Sequence, residues 1–117
     1  MPGWLFDRNG KAQIIEDGDC FVSAGGRVIG WIRGNCAYSL FGRHVAWYED
    51  GVLYDGSSLA IGFRARASGY LPSRPPLGVT PGTPDFAERL GRPGLSGVPG
   101  RLGFGGWSHI RLERFFR

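Results

Sequence analysis

Aspartate and serine side chains recur at one position of a repeating pattern. Asp7, Ser23, Ser39 and Asp55 follow one another at intervals of 16 residues. Carboxylates and hydroxyls held in register could bind a polar ligand or transfer protons. Each also precedes a glycine-containing turn sequence, and such side chains accept hydrogen bonds from the backbone of the turn that follows. Because the second explanation needs no ligand, we predict a structural role for this set.

The other chemistry-bearing residues are too few for a metal site. In the hairpin repeat described below, Cys20 and Cys36 lie two strands apart, about 10 Å across a sheet. A disulfide tolerates a Cα separation of only about 7 Å, so we expect two buried free thiols. His44 and His109 are distant in sequence, and these four residues do not make a zinc site. No nucleophile has a neighbouring base, so we predict no catalytic residue, no metal, no cofactor and no enzymatic activity.

A 16-residue repeat positions all these side chains. Four copies run from about residue 4 to residue 67, and sixteen residues accommodate two short strands and two tight turns. Asn-Gly and Asp-Gly pairs at the turn positions favour hairpins. The aligned columns are Gly10, Gly26 and Gly42, each followed by a basic residue; Ile15, Trp31, Trp47 and Phe63; and Phe6, Val22, Tyr38 and Tyr54.

The repeat predicts an all-β fold of eight short antiparallel strands. If Asn9 and Gly10 form the first turn, Phe6 lies opposite Gln13, and one nearly apolar face runs through every strand. Closing the sheet around that face removes its edges, so we predict a shallow closed or nearly closed barrel with this face as its core. The face comprises Trp4, Phe6, Gln13, Ile15, Cys20, Val22, Ile29, Trp31, Cys36, Tyr38, Val45, Trp47, Val52, Tyr54, Ile61 and Phe63.

The rest of the chain does not follow the repeat. Residues 68–106 hold seven of the eight prolines and ten of the 21 glycines, a composition typical of irregular segments. Residues 107–117 are amphipathic, and we predict a short helix there with Ser108 as its N-cap. The sequence thus predicts a barrel over residues 1–67, an irregular linker over 68–106 and a C-terminal segment over 107–117.

The charge suggests a partner but does not identify it. The formal net charge is +4, and an arginine-rich surface attracts the phosphates of nucleic acids or anionic lipids. A purely solvated basic face is the alternative. No apolar run approaches the roughly 20 residues of a membrane span, and the N-terminus lacks a signal-peptide pattern, so we expect a cytoplasmic protein, peripheral to a membrane at most. The late arginines are Arg64, Arg66, Arg74, Arg89, Arg92, Arg101, Arg111, Arg114 and Arg117.

The repeats also resemble a known family. The stretches “GWI” and “AWYEDGVLYD” on the strands, and a Pro/Gly-rich stretch ending in “GGWSHIRLERFF”, are similar to those of the four-fold β-flower proteins, a bacterial family of shallow symmetric barrels. The resemblance implies a barrel with an apolar bowl, in outline like the tubby-type and scramblase-type barrels that associate with membranes or lipids. It implies no established catalytic residues.

We predict a non-enzymatic binding module. Its apolar bowl would take a hydrophobic or lipid-like ligand, or the chain's own C-terminal segment, and that segment could also meet a membrane surface. An alternative is a structural module in which the C-terminal segment docks on a neighbouring chain of a homo-oligomer. Nucleic-acid binding is a third, less favoured function. The predicted hydrophobic ligand-binding residues are Trp4, Trp31, Trp47, Tyr54 and Phe63.

The cysteine spacing yields the first testable prediction. Both thiols should remain reduced in the purified protein, because Cys20 and Cys36 are too far apart to bridge. Alkylation of the denatured protein without reductant, followed by intact mass measurement, should label both cysteines. A sample reduced beforehand is the control, and labelling that appears only after reduction would contradict the predicted strand arrangement.

Overall fold

The described residues form a closed barrel whose eight strands follow the order of the chain. The computed structural model describes residues 2–87, 91–100, 103 and 105–116. Each strand pairs antiparallel with the next, and the last pairs with the first, which confirms the predicted all-β fold. The strands are β1 (Gly3–Phe6), β2 (Ala12–Glu16), β3 (Cys20–Ser23), β4 (Val28–Arg33), β5 (Cys36–Ser39), β6 (His44–Glu49), β7 (Val52–Tyr54) and β8 (Ala60–Arg64).

The hairpin within each of the four repeats turns through a three-residue loop. In the first, the Gly10 amide donates to the Asp7 carbonyl at 2.9 Å. Gly10 has a φ of +79°, the left-handed conformation that ends a type I turn with a bulge. Gly26 and Gly42 repeat this geometry, and Ser58 adopts it with a φ of +62° in the fourth hairpin.

The predicted register is correct away from these loops and wrong beside them. Trp4 pairs with Ile15 as expected, but Phe6 pairs with Ala12 rather than with Gln13. The three-residue loop uses one position more than the two-residue turn that we predicted, and a β-bulge at Gln13 restores the register. The same bulge recurs in all four hairpins, at Gln13, Ile29, Val45 and Ile61.

The barrel interior holds the side chains of the opposite face, not those of the predicted core face. The Tyr48 hydroxyl donates to Glu16 Oε1 at 2.7 Å, although β6 and β2 stand on opposite sides of the ring. The Tyr48 ring also meets the Phe21 ring at 5.2 Å. Such contacts between distant strands exist only across the interior. The central interior layer takes one residue from each strand: Leu5, Ile14, Phe21, Gly30, Ala37, Ala46, Leu53 and Gly62.

The predicted core face therefore lies on the outside of the wall, and the prediction of its side was wrong. Only the bulge residues Ile29, Val45 and Ile61 join the interior cluster. The outer face is nonetheless buried, because the Pro/Gly-rich segment 68–106, which we call the belt, covers it with residues such as Phe86 and Leu95.

The belt runs around the barrel and bonds to each hairpin loop in turn. Four belt amides, spaced nine residues apart, donate to the carbonyls of the four left-handed loop residues. The pairs are Gly78 to Gly10, Ala87 to Gly26 and Ser96 to Gly42, each at 2.8 Å, and Gly105 to Ser58 at 3.3 Å.

The nine-residue spacing matches the size of the barrel. Nine extended residues span at most about 30 Å, and a quarter of the perimeter of a molecule 36 Å across is about 28 Å. The sequence carries the same period, because Leu77, Phe86 and Leu95 each precede a bonded residue. The segment that we predicted as an irregular linker has no strands or helices among its described residues, yet it is a repeat that sequence analysis missed.

The C-terminal residues 107–116, which we call the tail, close one end of the barrel. Phe116 lies against Gly30 and Leu112 against Gly62, where the missing side chains leave room inside the wall. The Phe116 ring also contacts the Phe21 ring at 5.1 Å. We call this end, with the loops 8–10, 24–26, 40–42 and 56–58, the upper rim, and the opposite end, with the turns 18–19, 34–35 and 50–51, the lower rim.

The predicted C-terminal helix is a single 3-10 turn, Leu112–Arg114. Ser108 is not its N-cap: its hydroxyl donates to Asp55 Oδ2 at 2.7 Å and accepts from the Ile110 amide at 3.1 Å. The bond to Asp55 ties the tail to the loop between β7 and β8, and the Ser108 amide donates to the Ala60 carbonyl of β8 at 2.7 Å. These bonds turn the tail over the rim, so the chain reaches the barrel mouth before a longer helix can form. Arg117 lies outside the described residues.

The belt contacts predict that Gly26→Ala is destabilising. Gly26 has a φ of +92° and its missing side chain faces the Asp85 carbonyl, so Ala there meets both backbone strain and a steric clash. We expect a loss of about 1–3 kcal/mol in the free energy of unfolding, measured by urea denaturation. Gly25→Ala is the matched control, because Gly25 is exposed and a Cβ there would meet only Ser23 Oγ, at an ordinary contact distance of 3.8 Å. It should change stability by less than about 0.5 kcal/mol. Equal effects of the two substitutions would contradict the belt geometry.

The tail contacts predict that Leu112→Ala destabilises the barrel. Leu112 is 1% exposed, and truncation of a buried leucine costs about 2–5 kcal/mol. Ile110→Ala, two residues earlier at a side chain that is 44% exposed, should have little effect. Thermal and urea unfolding of both variants compare them directly, and an unchanged Leu112→Ala protein would show that the tail does not seal the barrel.

Candidate functional site

The aspartate and serine column serves the hairpin loops, as predicted. Asp7 Oδ1 accepts hydrogen bonds from the amides of Asn9 and Lys11 at 2.9 and 3.0 Å. Asp55 Oδ1 does the same for Ser57 and Leu59. The two serines each accept one such bond, from Arg27 to Ser23 and from Arg43 to Ser39, at 3.2 Å.

The predicted aromatic binding residues do not line an open bowl. Trp4, Trp31, Trp47, Tyr54 and Phe63 lie on the outer face of the wall and are at most 8% exposed. The Tyr54 hydroxyl donates to the Tyr70 carbonyl of the belt at 2.6 Å. Of the five, Trp4 lines the cleft described below. Whether any of these side chains binds a ligand stays a prediction.

The cysteines and histidines are not brought together. Cys20 and Cys36 are buried and form no disulfide, and among the described residues no group of three His, Cys, Asp or Glu side chains could hold a metal ion. His44 packs its ring against Trp47 at 4.6 Å, and burial lowers its pKa below the usual 6.5. His109 is exposed on the tail.

A polar network that sequence analysis missed lies inside the barrel near the lower rim. Glu16 Oε1 accepts from the Tyr48 hydroxyl at 2.7 Å and from Arg64 Nη1 at 2.8 Å. Burial and the hydrogen bond to the Glu16 carboxylate raise the pKa of Tyr48, so its hydroxyl stays a proton donor at neutral pH. Glu16, Tyr48 and Arg64 occupy, together with Ile32, one column of the 16-residue repeat. Because β2 and β8 are two strands apart around the ring, the opposite charges of Glu16 and Arg64 in that column were a sequence signal for an ion pair.

The barrel is least complete at its seam, where β1 meets β8. These strands share only two residue pairs, Leu5 with Arg64 and Phe6 with Phe63, whereas β1 and β2 share four. On the lower-rim side of the Leu5–Arg64 pair, the Arg64 guanidinium lies against Gly3, in the space that a side chain at Gly3 would need. The seam therefore opens toward the lower rim.

A cleft of about 670 Å³ follows this opening, and we call it the seam cleft. Such a volume is within the usual range for small-molecule sites. Trp4 and Phe6 supply its apolar wall from β1, and the belt adds Leu77. Glu16 and Arg64 lie at its base with side chains 18% and 31% exposed, and Arg66 stands exposed at its edge.

The seam cleft combines an aromatic wall with a cationic base. The Arg64 guanidinium is 31% exposed and donates from Nη1 to Glu16 Oε1, and a guanidinium has five N–H donors in all. An apolar chain could lie along Trp4 and Phe6 while an acidic group accepts from Arg64 or Arg66.

The two alternative functions stay predictions: docking of the tail on a neighbouring chain, and nucleic-acid binding. The described contacts of the tail are with its own barrel.

Comparison with known proteins places the chain in a family. Within the described part of the chain, no helix has the length and apolar character needed to cross a lipid bilayer. No curated protein and no solved structure matches the chain significantly. A family model described as 4-fold beta flower protein matches residues 3–116, which include the barrel, the belt and the tail. The chain therefore belongs to the 4-fold beta flower protein family.

Proposed function

We propose that the protein is a non-catalytic binding module that holds a small amphipathic ligand in the seam cleft. The observation that carries this proposal is the conjunction of Trp4 and Phe6 with the Arg64 guanidinium around one opening of about 670 Å³. Among the described residues, Leu112 and Phe116 of the tail pack against the inner wall at the barrel mouth, which favours the seam cleft over the interior as the ligand site.

The composition of the cleft favours an acyl chain with an acidic head group. Apolar contact with Leu77 of the belt, which is 42% exposed, and with the accessible edges of Trp4 and Phe6 contributes about 25 cal/mol per Å² buried. A carboxylate would place its charge near Arg64 and Arg66, and charge-assisted hydrogen bonds orient it. Asp50 and Glu16 in the same lining disfavour ligands with more negative charge, since like charges repel.

Isothermal titration calorimetry with dodecanoate, and with dodecanol as the uncharged analogue, tests this function. Dodecanoate should bind, with weaker binding of dodecanol. Arg66→Gln should weaken dodecanoate binding about five- to tenfold, as loss of one exposed charged contact does, and should leave dodecanol unchanged. Arg33→Gln, also exposed on the lower rim but outside the cleft, is the matched control.

A steric test locates the site independently of charge. Ala65 is exposed and lines the cleft, so Ala65→Trp should fill the opening and abolish binding of both ligands. Ala24→Trp adds the same ring at an exposed position of the upper rim and should leave binding intact. If the folded protein binds neither ligand, or if both tryptophan variants bind normally, the seam cleft is not a ligand site and the structural function takes precedence.

A further inference from the structure

The two rims of the barrel carry opposite charge. All six lysine and arginine side chains at the upper rim, from the hairpin loops and the tail, are exposed. Among the described residues at the lower rim, five acidic side chains outnumber three arginines. The upper-rim cations are Arg8, Lys11, Arg27, Arg43, Arg111 and Arg114, and the lower-rim charges are Glu16, Asp17, Asp19, Glu49 and Asp50 against Arg33, Arg64 and Arg66.

The three acidic groups near the upper rim offset only half of its six positive charges. Asp7 and Asp55 direct their carboxylates to backbone amides of the loops, and Asp55 is 7% exposed. Glu113 is half-buried beside the barrel mouth. On the neighbouring belt, Asp85 and Arg92 add one exposed charge of each sign. The exposed charge of this rim is therefore predominantly positive.

Large apolar side chains project from the same rim. Phe41 is 88% exposed at the tip of the third loop, where the other three loops have Asn9, Gly25 and Ser57. A ring that is so exposed contributes almost nothing to the stability of the folded barrel. Ile110 is 44% exposed on the tail, which crosses this rim. Basic residues flank both, Arg43 near Phe41 and Arg111 beside Ile110.

The shape of the molecule suits a planar partner. It measures 36 × 36 × 22 Å, and its short axis runs from rim to rim because the strands have only three to six residues. The upper rim is thus one of the two broad faces. A broad face with basic side chains around apolar tips matches a surface that has anionic head groups above an apolar layer.

We propose that the upper rim docks on an anionic lipid bilayer, with Phe41 and Ile110 inserting among the head groups and the six cations contacting lipid phosphates. This surface lies at the end of the barrel opposite the lower-rim base of the seam cleft, so the proposal is independent of the ligand proposed there. Docked in this way, the lower rim faces solvent.

Vesicle flotation with the full chain tests the docking. The protein should float with vesicles of phosphatidylcholine containing 30% phosphatidylserine, and less with pure phosphatidylcholine or at raised salt, because salt screens the surface potential. Each basic residue near such a surface contributes about a factor of five in affinity, so the double variant Arg27→Gln with Arg43→Gln should bind about 30-fold more weakly. The matched control, Arg33→Gln with Arg74→Gln, removes the same charge from exposed residues that lie away from the upper rim and outside the seam cleft, and it should bind normally.

Insertion is measured separately at the loop tip. Phe41→Trp should show a blue shift of tryptophan emission with anionic vesicles, and Phe41→Ser should weaken binding without changing the unfolding transition. Absence of binding to anionic vesicles overturns the proposal. So do equal losses from the two double variants, which would point to the net charge of the whole protein rather than to the upper rim. Stronger binding to a short nucleic-acid duplex, in competition with vesicles, would assign the rim to nucleic acid instead.

Discussion

The wall of this barrel is apolar on both faces, and this constraint determines how the rest of the chain is arranged. Strands of three to six residues make a wall too low to shield either face by itself. The outer face carries the large aromatic columns, so the belt must cover it. The inner layer includes four glycines and alanines, which leave space that the tail residues Leu112 and Phe116 fill. One chain thus supplies the wall, its outer cover and its plug.

The backbone of the hairpin loops transmits this arrangement from repeat to repeat. A left-handed glycine turns its carbonyl outward in each of the first three loops, where the belt amide meets it. A side chain at Gly10, Gly26 or Gly42 would collide with a belt carbonyl, so glycine is required twice, for its φ angle and for the close approach. The fourth loop has Ser58 and a longer belt contact of 3.3 Å. The belt leaves the repeat pattern at that loop and continues into the tail.

The features with chemical potential occur where the four-fold pattern is broken. At the lower rim, one column reads Glu16, Ile32, Tyr48 and Arg64, and the three polar members form a network that four identical residues could not make. The seam cleft exists because β1 and β8 share two pairs and separate below them. Phe41 stands where the other loops have small or polar residues. Symmetry supplies the scaffold, and departures from it supply the candidate sites.

The sequence by itself determined the eight strands, their order and the role of the aspartate and serine column, because a 16-residue period and local turn chemistry act over short distances. Ser23, for example, meets its partner amide four residues away. The sequence did not determine which face of the wall is inside. Both faces are apolar, and the three-residue loop with its bulge at Gln13 changes the pairing by one position, which alternation alone cannot reveal. The tertiary structure also decided the course of the belt, the plug formed by the tail, and the seam cleft. Each depends on side chains and carbonyls that meet only when the eight strands close into a ring, in a molecule 36 Å across.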